Sequence, residues 1–233
     1  MIPALDEEHS LPLILEPLSK IGYLNTIVVD NGSHDATAAV ARTYGATVIE
    51  EPRRGYGAAC LAGIAALADR PTTDIVAFID ADGSDDPGIL PLLTEPLARG
   101  EADFVLASRN LVAPEAGALT ITQRLGNWLA CWFMRMLWHA EYTDLAPCRA
   151  LRLGTLRALT MDDLDFGWTV QMQTRAAQAG LRVREIPSRY RCRRVGRSKI
   201  SGTLFGSLRA GVTILAVLAR ETVKGGLARS RTV

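Results

Sequence analysis

Asp80, Asp82, Asp85 and Asp86 place four carboxylates within seven residues, directly after the apolar run Ile75–Ile79. A short apolar run bounded by turn residues reads as a buried strand. Its C-terminal mouth would carry Asp80 and Asp82 to one edge of a sheet, where open α/β sheets bind ligands. Two hard oxygen donors at that edge suit Mg²⁺ or Mn²⁺ held against a diphosphate, and Ser84 could add an oxygen. The competing reading is an acidic turn that caps a helix beginning near Pro87.

The elements that must position these groups follow from periodicity. Asn25–Asp30, Ala46–Glu50, Ile75–Ile79, Asp103–Ser108 and Leu181–Ile186 read as strands. Asp35–Tyr44, Ala58–Asp69, Ile89–Arg99, Gln123–His139, Ala150–Leu159 and Trp168–Ala179 read as helices, with Pro91 and Pro96 expected to break the third. Alternation of this kind implies an α/β fold with a mostly parallel sheet flanked by helices. The Gly-rich basic loop Pro52–Gly57 would let backbone approach a ligand closely.

Charge is divided unevenly. Residues 1–172 carry a balance of −11 and residues 173–233 a balance of +12, so the near-neutral total conceals an acidic body and a basic tail. Such a pairing suits a phosphate-bearing substrate or an anionic lipid surface. Four scattered cysteines without CxxC spacing argue against a zinc site or a disulfide scaffold and for a reducing compartment. The N-terminal residues carry no leader-like apolar stretch. Three of the four tryptophans lie on the stripe Gln123–His139, and Leu204–Ala219 is apolar around Arg209. Its uncharged part is too short to span a bilayer, which takes about 20 residues, so both segments either pack on the sheet or lie in a membrane interface.

Six blocks, in order along the chain, resemble family 2 glycosyltransferases. They are Ile2–Glu8 (IPALDEE), Val28–Thr37 (VVDNGSHDAT), Asp80–Asp82 (DAD), Thr143–Ala150 (TDLAPCRA), Gly167–Gln173 (GWTVQMQ) and Gly196–Thr203 (GRSKISGT). The last three are similar to the bacterial branch of dolichyl- and polyprenyl-phosphate hexose synthases. The resemblance implies a GT-A fold over residues 1–203, with a nucleotide-sugar half (1–110) and an acceptor half (111–203). Residues 204–233 would form a basic, amphipathic C-terminal helix and tail. Relatives begin with several apolar residues where this chain has Met1-Ile2-Pro3, so a shortened first strand is expected.

The implied activity is inverting, metal-dependent transfer of a hexose from a UDP- or GDP-linked donor to a polyprenyl phosphate. The place implied is the inner face of the cell membrane, as a peripheral cytoplasmic enzyme with no nucleic-acid partner. Asp82 would be the main ligand of Mg²⁺ or Mn²⁺, with Asp80 either sharing the metal or holding the ribose and sugar hydroxyls, and the cation offsets charge on the departing diphosphate. Pro3, Ala4, Glu7, Asp30 and Gly55 would hold the nucleoside, and Arg197 and Lys199 would close over the diphosphate. A lipid monophosphate arrives largely ionised and needs positioning rather than a base. Arg109 and Arg124 are the positions expected to aim it, with Arg149 a further candidate. Asp144 would be a base for an alcohol acceptor, or else would orient Arg149 or the sugar. Two other readings stay open: a family 2 transferase acting on a saccharide or small-molecule alcohol, and a nucleotide-sugar-binding module without catalysis.

Overall fold

In the computed structural model, which describes residues 1–23, 25–194 and 213–224, short apolar runs become strands between two helical layers. β1 (Ile2–Ala4), β2 (Ile27–Asp30) and β3 (Thr47–Glu50) pair in parallel in that spatial order. β4 (Ile75–Phe78), β5 (Phe104–Ser108), β6 (Arg149–Arg152) and β7 (Val183–Pro187) form a second group, ordered β4-β6-β5-β7. Met1 joins the two groups. Its amino group donates to the Ala77 carbonyl at 2.7 Å, and its own carbonyl accepts from the Ile79 amide at 3.2 Å. The expected short first strand is thus three buried residues wedged between β2 and β4.

The stretch 150–159 departs from the sequence expectation. Arg149–Arg152 is a strand, antiparallel to both β4 and β5, and only Leu153–Ala158 (α6) is helical. Leu151 lies opposite Val76 on one side and Phe104 on the other. Ala and Leu are good helix formers, so local propensity points the wrong way. The two flanking ladders and complete burial of Ala150 and Leu151 decide the conformation instead. This strand ties the 143–150 block into the same sheet as the acidic loop.

Alternation along β5 shows how the sheet is covered. Val105 packs in a core with α1 (Leu11–Lys20), α2 (Thr37–Thr43) and α4 (Leu90–Ala98), through Leu11, Ile14, Ala41, Leu93 and Leu97. Phe104 and Leu106 face the opposite core, built on α3 (Tyr56–Ala65), α5 (Ile121–Trp138), α6, α7 (Trp168–Gln178) and α8 (residues 213–224). Five consecutive buried residues in β5 are what a strand covered on both faces requires. α4 runs unbroken. Pro91 falls in its first turn, where the missing N–H has no intrahelical partner to lose, and Pro96 is accommodated further in.

α5 begins with a reciprocal Thr120/Gln123 capping box and ends at His139 in the left-handed region (φ 55°). Only Ala130, Cys131 and Met134 are buried. Its larger apolar residues turn outward: Ile121 is 86% exposed, Trp128 60% and Met136 61%, with Leu125 and Trp132 on the same side. Among the described residues no helix is long and apolar enough to cross a membrane.

Candidate active site

The loops after β1, β2 and β4 enclose a cavity of about 420 Å³ at the C-terminal edge of the parallel strands. Its first wall comes from the turn after β1: Pro3, Ala4, Leu5 and Glu7. Asp6 sits at φ 48°, and the turn is held by partners from the segment 33–37. The Asp6 amide donates to Ser33 Oγ (2.9 Å) and the Glu7 amide to Thr37 Oγ1 (2.7 Å). In return the His34 amide donates to Asp6 Oδ1 (2.7 Å) and the Ala36 amide to Glu8 Oε2 (2.9 Å). The first two sequence blocks therefore lock one another, and Glu8 serves the start of α2.

Asp30 does structural work. Its Oδ1 accepts from the Ser33 amide at 3.0 Å and closes the turn after β2. Its neighbour Asn31 lines the cavity. The Asn31 amide group donates to the carbonyls of Glu51 and Arg53, and its Oδ1 accepts from the Gly55 amide at 2.8 Å. Asn31 thus shapes the basic glycine loop, which contributes Arg54, Gly55 and Tyr56 to the wall. Gly55 has φ 143°, and a Cβ on Gly55 or Gly57 would overlap the carbonyls of Leu164 or Asp163. Gly57→Ala is expected to cost roughly 1–3 kcal/mol of stability through this overlap, read as a lower denaturant midpoint at unchanged m-value.

Asp80 and Asp82 form the floor. Asp80 accepts from the Tyr56 hydroxyl at 3.0 Å. Its carboxyl is pushed up to about 7, first by burial and then by the charge of Asp82. Asp82 accepts from the Ser84 amide at 2.9 Å and lies 3.9 Å from Nε of Arg193, whose guanidinium also pairs with Glu7. A pair of adjacent carboxylates, where the charge of Asp82 disfavours ionisation of Asp80, is suited to a divalent cation that offsets the repulsion. No cluster of three or more acidic, histidine or cysteine ligands exists among the described residues. A cation here would complete its shell with diphosphate oxygens and water, in the manner of Mg²⁺. The acidic-turn reading holds for Asp86 alone, which accepts from the Gly88 amide at 3.0 Å and caps the 3₁₀ turn Pro87–Ile89.

Asp85 lies under this floor, 2% exposed, and neither carboxylate oxygen has a hydrogen-bond partner among the described residues. Its carboxyl is pushed up to about 8, mainly by burial, with Asp80 adding to the effect. The folded value lies above that of an unfolded carboxylate, near 4. Stability from this group is therefore intact below about pH 4 and is lost as pH rises toward 8. Asp85→Asn should accordingly gain on the wild type between pH 5 and 8, by at most about 1.4 kcal/mol per pH unit. Thermal melts across that range check this, and a pH-independent difference would refute it.

The expected acceptor residues divide between two places. Arg109 makes a bidentate pair with the fully buried Asp144: Nε to Oδ2 at 2.8 Å and Nη2 to Oδ1 at 2.7 Å. Its guanidinium lies over the Tyr190 ring, 5.0 Å from the centroid. Asp144 thus orients Arg109, where the sequence pointed to Arg149 or the sugar. Arg149 is itself buried and donates to the carbonyls of Ala146, Pro147 and Thr169, a structural role under the 143–150 block. Arg124 is exposed and lines a second cavity of about 610 Å³ between α5 and the segment after β5, with Arg135, Asn110, Asn127, Trp128 and Trp132. Arg197 and Lys199 lie outside the described residues.

The structure adds Asp165 and Phe166 to the first cavity wall, together with Arg193. Asp165 and Phe166 stand directly before the Gly167–Gln173 block and Arg193 three residues before the Gly196–Thr203 block, at positions where the motif letters alone carry no signal.

Comparison with known proteins fits this geometry. The family model for "Glycosyl transferase family 2" matches residues 1–151, and the chain belongs to that family. An uncharacterized glycosyltransferase of Mycobacterium tuberculosis is 43% identical over 209 residues, covering 89% of this chain and 91% of the relative. An undecaprenyl-phosphate mannosyltransferase of Micrococcus luteus is 32% identical over 234 residues, covering 94% of each chain. The crystal structure of glucosyl-3-phosphoglycerate synthase from Mycobacterium tuberculosis with Mn²⁺ and UDP-glucose superposes with a TM-score of 0.71 at 22% identity. It covers 95% of this chain and 77% of the synthase, and it supports the GT-A fold. The chain is a glycosyltransferase of mixed α/β, GT-A architecture.

Proposed function

We propose that this enzyme transfers a hexose from a UDP- or GDP-linked donor to a polyprenyl phosphate at a membrane surface, with Mg²⁺ or Mn²⁺ as cofactor. The observation that carries the reading is the separation of two differently built cavities. One has a paired-carboxylate floor and glycine-loop walls. The other presents arginines beside an outward apolar stripe. The undecaprenyl-phosphate mannosyltransferase activity of the Micrococcus luteus relative points the same way.

In this reading Pro3, Ala4, Glu7 and Gly55 contact the nucleoside, and Asp30 acts through the turn it closes. Asp80 and Asp82 hold the cation, which supplies Lewis-acid stabilisation of the leaving diphosphate. Arg197 and Lys199 are the further cations expected at the diphosphate. Arg124 meets the acceptor phosphate, and Arg109, fixed by Asp144 and next in sequence to Asn110 of the second cavity, supplies a second positive charge. The Trp128 and Trp132 rings and neighbouring Leu125 and Met136 rest in the headgroup boundary, so the lipid stays in its bilayer while its phosphate is presented. An alcohol acceptor would need a base. Asp144 is poorly placed for that, with both carboxylate oxygens taken up by Arg109.

The test is a screen of radiolabelled UDP-glucose and GDP-mannose with Mn²⁺ or Mg²⁺ and a membrane lipid extract. Label moving into the organic phase is the expected result. Label confined to water-soluble products with every donor and lipid would overturn the lipid acceptor.

A further inference from the structure

The far end of the described chain is wired to the cavity wall. Glu221 on α8 is 1% exposed although it carries a charge. Its Oε1 accepts from Gln171 Nε2 at 2.8 Å and from Arg175 Nη2 at 3.0 Å, and its Oε2 accepts from Arg175 Nε at 2.9 Å. Both partners reach on to the segment 159–166. Gln171 Oε1 accepts from the backbone amides of Asp162 (3.1 Å) and Asp163 (2.9 Å). Arg175 Nη1 donates to the carbonyls of Leu159 and Thr160, and its Nη2 pairs with Asp162 at 2.9 Å. Arg220 adds a contact to Asp163 Oδ2 at 3.2 Å. Thr160 has φ 47°, a conformation that a β-branched residue keeps only when its surroundings hold it there.

This held segment is the one that shapes the cavity. The Leu164 carbonyl accepts from the Ala58 amide at 2.9 Å, and the Asp163 and Leu164 carbonyls sit against Gly57 and Gly55. Asp165 and Phe166 then enter the cavity wall. Tyr56, between the two glycines, donates to Asp80. A buried, charge-assisted acceptor on α8 is thus linked by four short steps to the carboxylate floor. Such a buried ion pair is weak grounds for stability alone, because desolvation offsets its attraction. Its better explanation is geometric: it selects one conformation of the segment it faces.

We propose that Glu221 is a positioning residue for the transferase site, setting the segment 159–166 through Gln171 and Arg175 and so placing Asp165, Phe166 and Tyr56. The inference rests on the reading that the first cavity takes the nucleotide sugar. Its test has one arm independent of that reading. Glu221→Gln keeps the shape of the side chain and removes one acceptor oxygen. Leu218→Ala removes buried packing from the same helix without touching the hydrogen bonds. Arg220→Ala, on the solvent side, is a milder probe that leaves the core intact.

Backbone hydrogen exchange on the ligand-free chain should rise in 159–166 and 55–59 for Glu221→Gln, and less strongly for Arg220→Ala. In Leu218→Ala it should follow global stability only. Affinity for UDP-glucose or GDP-mannose with Mn²⁺, whichever the wild type binds, should fall roughly tenfold in Glu221→Gln and less than twofold in Leu218→Ala. Unchanged exchange in 159–166, equal exchange in Glu221→Gln and Leu218→Ala at matched stability, or loosened exchange with unchanged donor affinity would each overturn the proposal. If the Glu221 variant does not fold, Arg220→Ala alone decides by the same exchange and affinity criteria. A wild type that binds neither donor refutes the donor reading, and the exchange arm still decides the inference.

Discussion

Asp82→Asn is expected to lower the rate of transfer at saturating donor by roughly a hundred- to a thousandfold while leaving the melting temperature near that of the wild type. Removing one preorganised charge-stabilising group at a developing anion costs about that much in rate. Asp82 is the better ligand of the pair for a physical reason. Asp80 is held by Tyr56 and retains its proton up to about pH 7, whereas Asp82 faces the cavity and among the described residues meets an amide and a distant guanidinium. Calorimetric titration of Mn²⁺ with the donor nucleotide separates binding from chemistry. The asparagine variant should lose the Mn²⁺-dependent part of nucleotide binding and keep the Mn²⁺-independent part. A variant with wild-type turnover, or with unaltered Mn²⁺ dependence, would remove the cation from Asp82.

Much of that site is legible in the amino-acid sequence. Asp80 and Asp82 announce themselves because a β-branched apolar run leads straight into acid, a pattern with few structural explanations. β4 was therefore readable within one residue, as was β5. The glycines at 55 and 57 signal, in the sequence, backbone approaching a ligand; the close approach that the structure shows is a different one, to the carbonyls of Asp163 and Leu164. β6 was not readable. Its Ala-Leu centre carries no strand signal, and only the ladders on either side, more than forty residues away in sequence, make it extended. Asp30 and Asn31 show a finer limit. The sequence marks the strand end, but which of two adjacent polar side chains turns into the cavity depends on the turn that Ser33 closes. Asp144 is expected from the sequence to orient Arg149 or the sugar, and its partner is Arg109: Arg149 lies in β6 opposite Leu106, while Arg109 and Asp144 meet in the loops beyond the strands, a contact that sequence spacing does not encode. The α8 network was beyond reach, since it joins residues 171, 175 and 221 through tertiary packing alone.

Arg124→Ala and Asp144→Asn should part company in a way that identifies the acceptor. Arg124 is exposed, so its loss should leave folding intact while lowering transfer to a lipid phosphate roughly a hundredfold through a raised acceptor KM. Asp144 is buried and bidentate, and its neutralisation leaves Arg109 with an uncompensated charge. That variant should lose about 3–5 kcal/mol of stability. Activity loss in Asp144→Asn is therefore expected for any acceptor, and rate alone does not discriminate. The pH profile does. If Asp144 serves only to fix Arg109, the surviving activity keeps the wild-type profile and its acceptor KM rises, as in Arg124→Ala. If Asp144 is a base for an alcohol, the variant loses the limb of the profile on which a base must ionise, kcat falls with little change in acceptor KM, and Arg124→Ala is nearly silent. The bidentate geometry at 2.7 and 2.8 Å favours the first outcome, because both carboxylate oxygens already accept from the Arg109 guanidinium and neither faces an incoming alcohol proton.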